Sequence, residues 1–318
     1  MFLEPSQVIK KISFISVVLP VLNEEQALPK LCEKLKKVLT VSWVENFEII
    51  LVDDGSIDNT WGVICSLHED DSRIHGIKFS RNFGQHVAMS AGIRKAKGDF
   101  VALMDADFQD PPESIPELLE KMQKENAEVV IGVRKRHVEG FFRSIFSNMY
   151  SNVFIFLTRI RIPYNATNMR ILSRKVVNVI NQCDEKNLFL GGLMCWLGFK
   201  LAFTEIEPGE RMVGKTKYTL GSLLKHAVNG IFSFSAFPLR VAIILGFFFS
   251  FISIFFGVYV LFRQIFLHDI VSGYSSIIVS IVFMGGVILI CLGMIGEYIA
   301  RIYDEVKKRP NYVIDESV

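Results

Sequence analysis

FVALMDADFQ, residues 100–109, decides the fold of this chain: five apolar residues, Phe100 to Met104, stop at Asp105 and Asp107, two carboxylates separated by one residue. A run with no polar member suits a parallel strand buried on both faces, and open α/β sheets bind their ligands at the carboxyl ends of such strands. Two hard oxygen donors this close can hold Mg²⁺ or Mn²⁺ while leaving coordination positions open for a diphosphate, and Gln109 is in reach as a further polar contact. An Asp-x-Asp alone is common on solvated loops, so its weight depends on what surrounds it.

Working outward, strand-like apolar runs at 12–19, 47–52, 74–79, 100–104 and 129–133 alternate with helical patterns. That repetition predicts a doubly wound, mostly parallel α/β sheet. The first run leads into Pro20-Val21-Leu22-Asn23-Glu24-Glu25, without the Gly-x-Gly-x-x-Gly that admits a dinucleotide pyrophosphate, so nicotinamide and flavin chemistry is disfavoured. The second run ends at Asp53-Asp54-Gly55-Ser56, followed by Asp58-Asn59-Thr60, which puts a second carboxylate pair at the same sheet edge. Acids there suit hydroxyls and base N–H groups, with a metal handling phosphates. Asp54, Ser56 and Asp58 also have a plainer reading, as caps of the turn and the next helix.

Half of the 318 residues are hydrophobic, but unevenly so. No charge interrupts 241–262 or 270–296, each longer than the roughly 20 residues that span a bilayer core. Neither has a polar face, which predicts a two-span membrane hairpin rather than buried core helices. Lys and Arg precede the first span, and Arg301, Lys307, Lys308 and Arg309 follow the second, so the positive-inside rule places both termini in the cytoplasm. Lys10-Lys11 and the apolar run after it imitate a signal peptide without a small-residue cleavage site, and read as the first strand. Five scattered cysteines with no Cys-x-x-Cys indicate neither zinc nor a disulfide framework and fit a reducing compartment.

Residues 134–175 hold nine Lys or Arg against the single acid Glu139, a stretch that asks for an anionic partner. Beside membrane spans, lipid phosphate is favoured over nucleic acid. Apolar residues at spacings of three and four over 140–157 and 218–232, flanked by Arg143, Lys215, Lys217 and Lys225, predict interfacial amphipathic helices.

Taken together, VLNEE (21–25), VDDGS (52–56), SRNFGQ (80–85) and MDADFQDPP (104–112) resemble the motif series of family 2 glycosyltransferases. The series continues through Arg211, Gly214 to Tyr218, Phe234-Ser235, Pro238-Leu239-Arg240, Gly296-Glu297-Tyr298 and Arg309-Pro310, in the manner of the polyprenyl-phosphate glycosyltransferases, and covers nearly the whole chain. The resemblance implies a GT-A fold that transfers a sugar, with inversion, from a nucleotide diphosphate sugar to a polyprenyl phosphate. By motif position it implies nucleotide contacts at Pro20, Asn23, Glu25, Asp53, Arg81, Gly84 and Asp105, and an ion, Mg²⁺ or Mn²⁺, held by Asp105, Asp107 and Gln109. Lys215 and Arg211 would close over the leaving diphosphate beside Asp107, and Arg134, Arg136 and Arg143 would hold the acceptor phosphate.

The implied organisation is a nucleotide-sugar-binding core at 1–139, an acceptor-side region at 140–235, two transmembrane helices at 236–300 and a cytoplasmic tail at 301–318. The terminal two-span arrangement looks most like the bactoprenol glucosyltransferases, which favours UDP-glucose over GDP-mannose as donor and undecaprenyl phosphate as acceptor. Family members associate, and Gly285-Gly286 and Gly293 permit close helix contact, so a homo-oligomer such as a tetramer is expected. Where relatives commonly carry Gly-Asp-Phe-Arg, this chain has Thr167-Asn168-Met169-Arg170, an amide in place of an acid. An ionised acceptor needs no base, so Asn168 and Arg170 read as positioning residues. The competing reading of another class is a non-catalytic nucleotide-binding membrane scaffold; processive polysaccharide synthases and nucleotidyltransferases fit less well.

Overall fold

The computed structural model describes residues 11–41, 43–134, 165–186, 189–207, 237–262 and 273–318, together with 155 and 163. Eight strands form one sheet: β1 (Ile12–Val21), β2 (Val44–Asp53), β3 (Ile74–Phe79), β4 (Phe100–Leu103), β5 (Val129–Arg134), β6 (Ala166–Ser173), β7 (Leu201–Ile206) and β8 (Ile314–Ser317). Their spatial order is β7-β5-β6-β4-β1-β2-β3-β8. β1 pairs in parallel with β2 and β4, β2 with β3, and β5 with β7, whereas β6 and β8 run antiparallel to their neighbours.

The apolar runs are strands because both sides of them are covered. Val17, Leu19, Ile49, Leu51 and Ala102 face one hydrophobic cluster, and the alternate residues Val18, Ile50, Val52, Val101 and Leu103 face the other. Each Val, Leu or Ile fully buried in this way contributes about 1.5–3 kcal/mol. Helix α1 (Leu28–Leu39) buries Leu28, Leu31, Cys32, Leu35 and Leu39, one stripe at helical spacing, in the first cluster. The other helices of this unit are α2 (Thr60–Asp70), α3 (Gln85–Lys95), α4 (Ile115–Glu125), α5 (Arg174–Ile180) and α6 (Leu190–Trp196). At Gly92 of α3 a Cβ would lie 2.2 Å from Val18 Cγ1, so the missing side chain lets α3 lie directly on β1. Helix α4 opens on Pro116 in its first turn, where no N–H is needed, and ends on Asn126 in the left-handed region at φ 48°.

The five expected strands are present. The sheet also takes β6 and β7 from the 140–235 stretch, so it does not close at residue 139. Nor do residues 301–318 form a simple tail: the last helix runs to Val306, and β8 then adds to the sheet edge at β3. Trp61 Nε1 and Lys78 Nζ donate to the Glu316 carboxylate at 3.0 and 2.6 Å, and Tyr312 stacks on Phe79 at 4.9 Å.

A second compact unit, residues 224–309, contains α7 (Phe237–Phe262) and α8 (Tyr274–Val306). Both are long and apolar enough to cross a membrane, over Leu239–Phe256 and Phe283–Val306. Phe247, Phe251 and Leu289 stand exposed, as side chains that meet lipid do, and Phe249 meets Phe283 edge to face at 5.3 Å. Helix α8 begins four residues later than the uncharged stretch and continues past Gly296, where Glu297 and Arg301 pair one turn apart at 2.8 Å. The two expected interfacial helices, with Arg136, Arg143, Arg211 and Lys215, lie outside the described residues.

Candidate functional site

The register brings two carboxylate pairs to one sheet edge. Val21 is level with Asp53 on β2, Val18 is level with Leu103 on β4, and both strands then end in acids. Pro20 lies on β1 opposite Val52 and precedes the loop that carries Asn23 and Glu25. Those two side chains brace this loop to the one after β2: Asn23 Oδ1 accepts from Ile57 N at 2.9 Å, and Glu25 Oε2 from Asn59 N at 3.0 Å. Ser56 Oγ accepts from Asn23 N, and Asp58 accepts from Thr60 N at 3.1 Å as α2 begins.

The two acids of the first pair have different work. Asp54, 4% exposed, accepts from the backbone N–H of Phe83 at 2.7 Å and of Gly84 at 2.9 Å. It therefore holds the loop that enters α3 rather than capping the helix that follows it in sequence. Burial raises the Asp54 carboxyl above its ordinary range, and the two N–H bonds oppose that. Gly55 makes the approach possible: its φ is +76°, and a Cβ there would lie 2.5 Å from the Arg81 carbonyl carbon. Asp53 is fully buried; its Oδ1 accepts from Ser56 N at 2.9 Å, and its Oδ2 has no partner among the described residues. A buried acceptor oxygen without a donor is costly unless a ligand N–H or hydroxyl completes it. Arg81, on the β3–α3 loop, stacks over Phe83 at 4.0 Å, and Gly84 at φ +103° begins α3.

The second pair is held mostly by side-chain amides, with the backbone N–H of Gln109 also donating to Asp107 Oδ1 at 3.1 Å. Gln85 Nε2 donates to Asp105 Oδ1 at 2.5 Å, and Asn168 Nδ2 donates to Asp105 Oδ2 at 3.0 Å and to Oδ1 at 3.3 Å. Gln109 Nε2 donates to Asp107 Oδ2 at 2.7 Å, and Arg134 Nη2 donates to Gln109 Oε1 at 2.9 Å. Phe108, between them, is buried at φ +64°, a conformation costing of order 1 kcal/mol in a residue with a Cβ, and its ring in the core fixes which way Asp107 and Gln109 leave the turn. Burial raises the Asp105 carboxyl; the Asn168 hydrogen bond opposes that, and the Asp107 charge adds to it. Asp110, 1% exposed with Oδ1 unpartnered among the described residues, is pushed up to about 7 by burial and then by Asp105, with Arg134 opposing. Arg170 lies in β6, 7% exposed, its guanidinium on the Thr167 carbonyl and Met194 Sδ.

The donor set is chemically right for a hard divalent ion, and no group of three His, Cys, Asp or Glu among the described residues could hold one without help. Mg²⁺ and Mn²⁺ are commonly bound by one or two carboxylates plus substrate phosphate oxygens, and Asp105 with Asp107 fits that division. Gln109 turns its amide nitrogen to Asp107 and its oxygen to Arg134, so its oxygen reaches an ion beside Asp107 only if the amide rotates. Of the residues singled out by the sequence, the structure thus brings Asp105, Asp107, Gln109 and Arg134 together, with Asp53 at the same edge. Gln85 and Asp110 were missed as site residues, although both lie within quoted motifs, SRNFGQ (80–85) and MDADFQDPP (104–112).

Comparison with known proteins accounts for both units. The profile of glycosyl transferase family 2 matches residues 16–183, and that of the GtrB C-terminal hairpin matches residues 237–302. A Synechocystis protein named uncharacterized glycosyltransferase sll0501 is 40% identical over 303 residues, 95% of each chain. The SfII prophage-derived bactoprenol glucosyl transferase of Shigella flexneri is 38% identical over 304 residues, 95% of this chain and 98% of that one. Among solved structures, the mannosyltransferase PcManGT of Pyrobaculum calidifontis, in complex with GDP-Man and Mn²⁺, is 16% identical with a TM-score of 0.49 over 72% of this chain and 65% of that one. With both units matched and similarity running over almost the full length of its relatives, this chain belongs to glycosyl transferase family 2 and is a glycosyltransferase with a GtrB-type C-terminal hairpin.

Proposed function

We propose that this glycosyltransferase moves glucose from UDP-glucose to a polyprenyl phosphate, undecaprenyl phosphate being the expected form, at the cytoplasmic face of a membrane, with inversion at the anomeric carbon. The observation that carries the reading is the near full-length similarity, through both the catalytic unit and the hairpin, to a protein named bactoprenol glucosyl transferase. The long apolar stretches of α7 and α8 supply the membrane anchor, and the Lys and Arg at their ends favour cytoplasmic termini. A homo-oligomer is part of the same reading.

The acceptor arrives activated. A phosphate monoester has a second pKa of about 6, so its oxygen is mostly ionised at neutral pH and needs no protein base. That oxygen forms a bond to the anomeric carbon as the bond from that carbon to the diphosphate breaks, and the electron pair leaves with UDP. Asp53 Oδ2 accepts an N–H of the base, which completes its buried carboxylate. Asp105 and Asp107 would hold a divalent ion, with Gln109 joining them once its amide rotates, and the ion would supply positive charge to the departing diphosphate. Arg134, joined to Gln109 at the end of β5, stands with Arg136 and Arg143 as an anchor for the acceptor phosphate, while Lys215 and Arg211 offset charge on the leaving group.

Detergent-purified protein supplied with undecaprenyl phosphate, Mg²⁺ or Mn²⁺ and separately labelled UDP-glucose, UDP-N-acetylglucosamine and GDP-mannose tests this reading. Label from UDP-glucose should enter the organic phase and vanish with EDTA. Label from GDP-mannose alone would move the donor assignment to mannose. No transfer from any donor, despite measurable nucleotide binding, would favour the scaffold reading.

A further inference from the structure

Asp105 is held from two elements at once. Gln85 is the first residue of α3, and Asn168 sits on β6, where the antiparallel register that matches Leu103 to Arg170 carries on to set residue 168 opposite residue 105. An ionised carboxylate offers about four lone-pair positions, and these two amides occupy three of them. Both donors are neutral. Arg170, the cation behind them in β6, spends its hydrogen bonds on the Thr167 carbonyl and Met194 Sδ rather than on Asp105.

We propose that Gln85 and Asn168 are positioning residues that lock Asp105 and, being uncharged, keep the Asp105/Asp107 pair a weak divalent-ion site until a nucleoside diphosphate supplies the remaining oxygens. The inference rests on the ion assignment made above. An amide fixes the direction of the Asp105 lone pairs without adding a further negative charge to the site. A carboxylate in place of either amide would stand at hydrogen-bond distance from Asp105, in surroundings less polarisable than water, and would attract a divalent cation strongly.

The test is a Mn²⁺ titration of the full chain in detergent, with free Mn²⁺ followed by electron paramagnetic resonance, with and without UDP. Without UDP, Asn168→Asp and Gln85→Glu should each bind Mn²⁺ at least about tenfold more tightly than wild type. Asn168→Leu, which removes the donor without adding charge, should show no tightening. The two charged variants lie on different elements, so either decides the matter if the other fails to fold. Affinities equal to wild type in the charged variants, alongside wild-type uptake with UDP that Asp107→Asn abolishes, would overturn the inference and leave the ion assignment standing. Wild type that takes up no Mn²⁺ even at saturating UDP would overturn both.

Discussion

Asp53-Asp54 after β2 and Asp105 with Asp107 after β4 are two acidic pairs at one sheet edge, yet they are held by different groups. Asp54 is bound by the backbone N–H groups of Phe83 and Gly84, whose positions the fold dictates, so it is part of the scaffold. Asp105 is bound by the side-chain amides of Gln85 and Asn168, and Asp107 by the side-chain amide of Gln109 together with that residue's backbone N–H. Asp53 stands between these cases, with one oxygen on the backbone and one buried oxygen awaiting a donor. The lesson is that a carboxylate's partner, more than its burial, separates a structural acid from a working one.

Four substitutions would break or sharpen this division. Asp107→Asn should lower sugar transfer by about a thousandfold or more, because it weakens the hold on the charge that stabilises the diphosphate, while its melting temperature stays near wild type. A variant that still transfers at the wild-type rate would remove Asp107 from the site. Asp53→Asn should raise the KM for donor by about ten- to a hundredfold with little change in kcat, since it can no longer offer a carboxylate to a base N–H; steady-state kinetics in the donor would show this. Asp54→Ala should cost about 2–3 kcal/mol of stability through two stranded N–H groups, read as a lowered melting temperature and faster hydrogen exchange at Phe83 and Gly84.

The smallest effect concerns pH. Burial raises Asp54 above its ordinary 3.8, so the folded chain holds that proton more tightly than the unfolded one. The stability contribution is therefore full below the unfolded value and is lost as pH rises through the folded one. The stability of wild type relative to Asp54→Asn should decline as pH climbs above about 3.8, and a flat difference would put the Asp54 proton elsewhere.

The half of the sheet that carries these pairs was legible because β1, β2 and β4 are buried on both faces and spell apolar runs. Strand β6 was not, since Thr167, Asn168 and Arg170 serve the site edge and interrupt any apolar pattern even where they are buried. Strand β8 has four exposed residues and is held by backbone pairing and the Glu316 contacts, neither of which leaves a hydrophobic period. At the site, motif spacing located the acids but not their partners: that Asp54 holds the Phe83-Gly84 entry to α3 thirty residues on, or that Asn168 meets Asp105, depends on sheet register, which a linear sequence does not display.

Direct attack by lipid phosphate on a sugar whose diphosphate leaves from the end of β4 predicts one stereochemical result. The measurement is the anomeric configuration, by proton coupling in magnetic resonance, of the polyprenyl-linked glucose made from UDP-α-glucose. The β anomer is expected. An α-linked product would mean that the sugar passes through a protein-bound intermediate or is attacked from the leaving-group face, and would contradict the account.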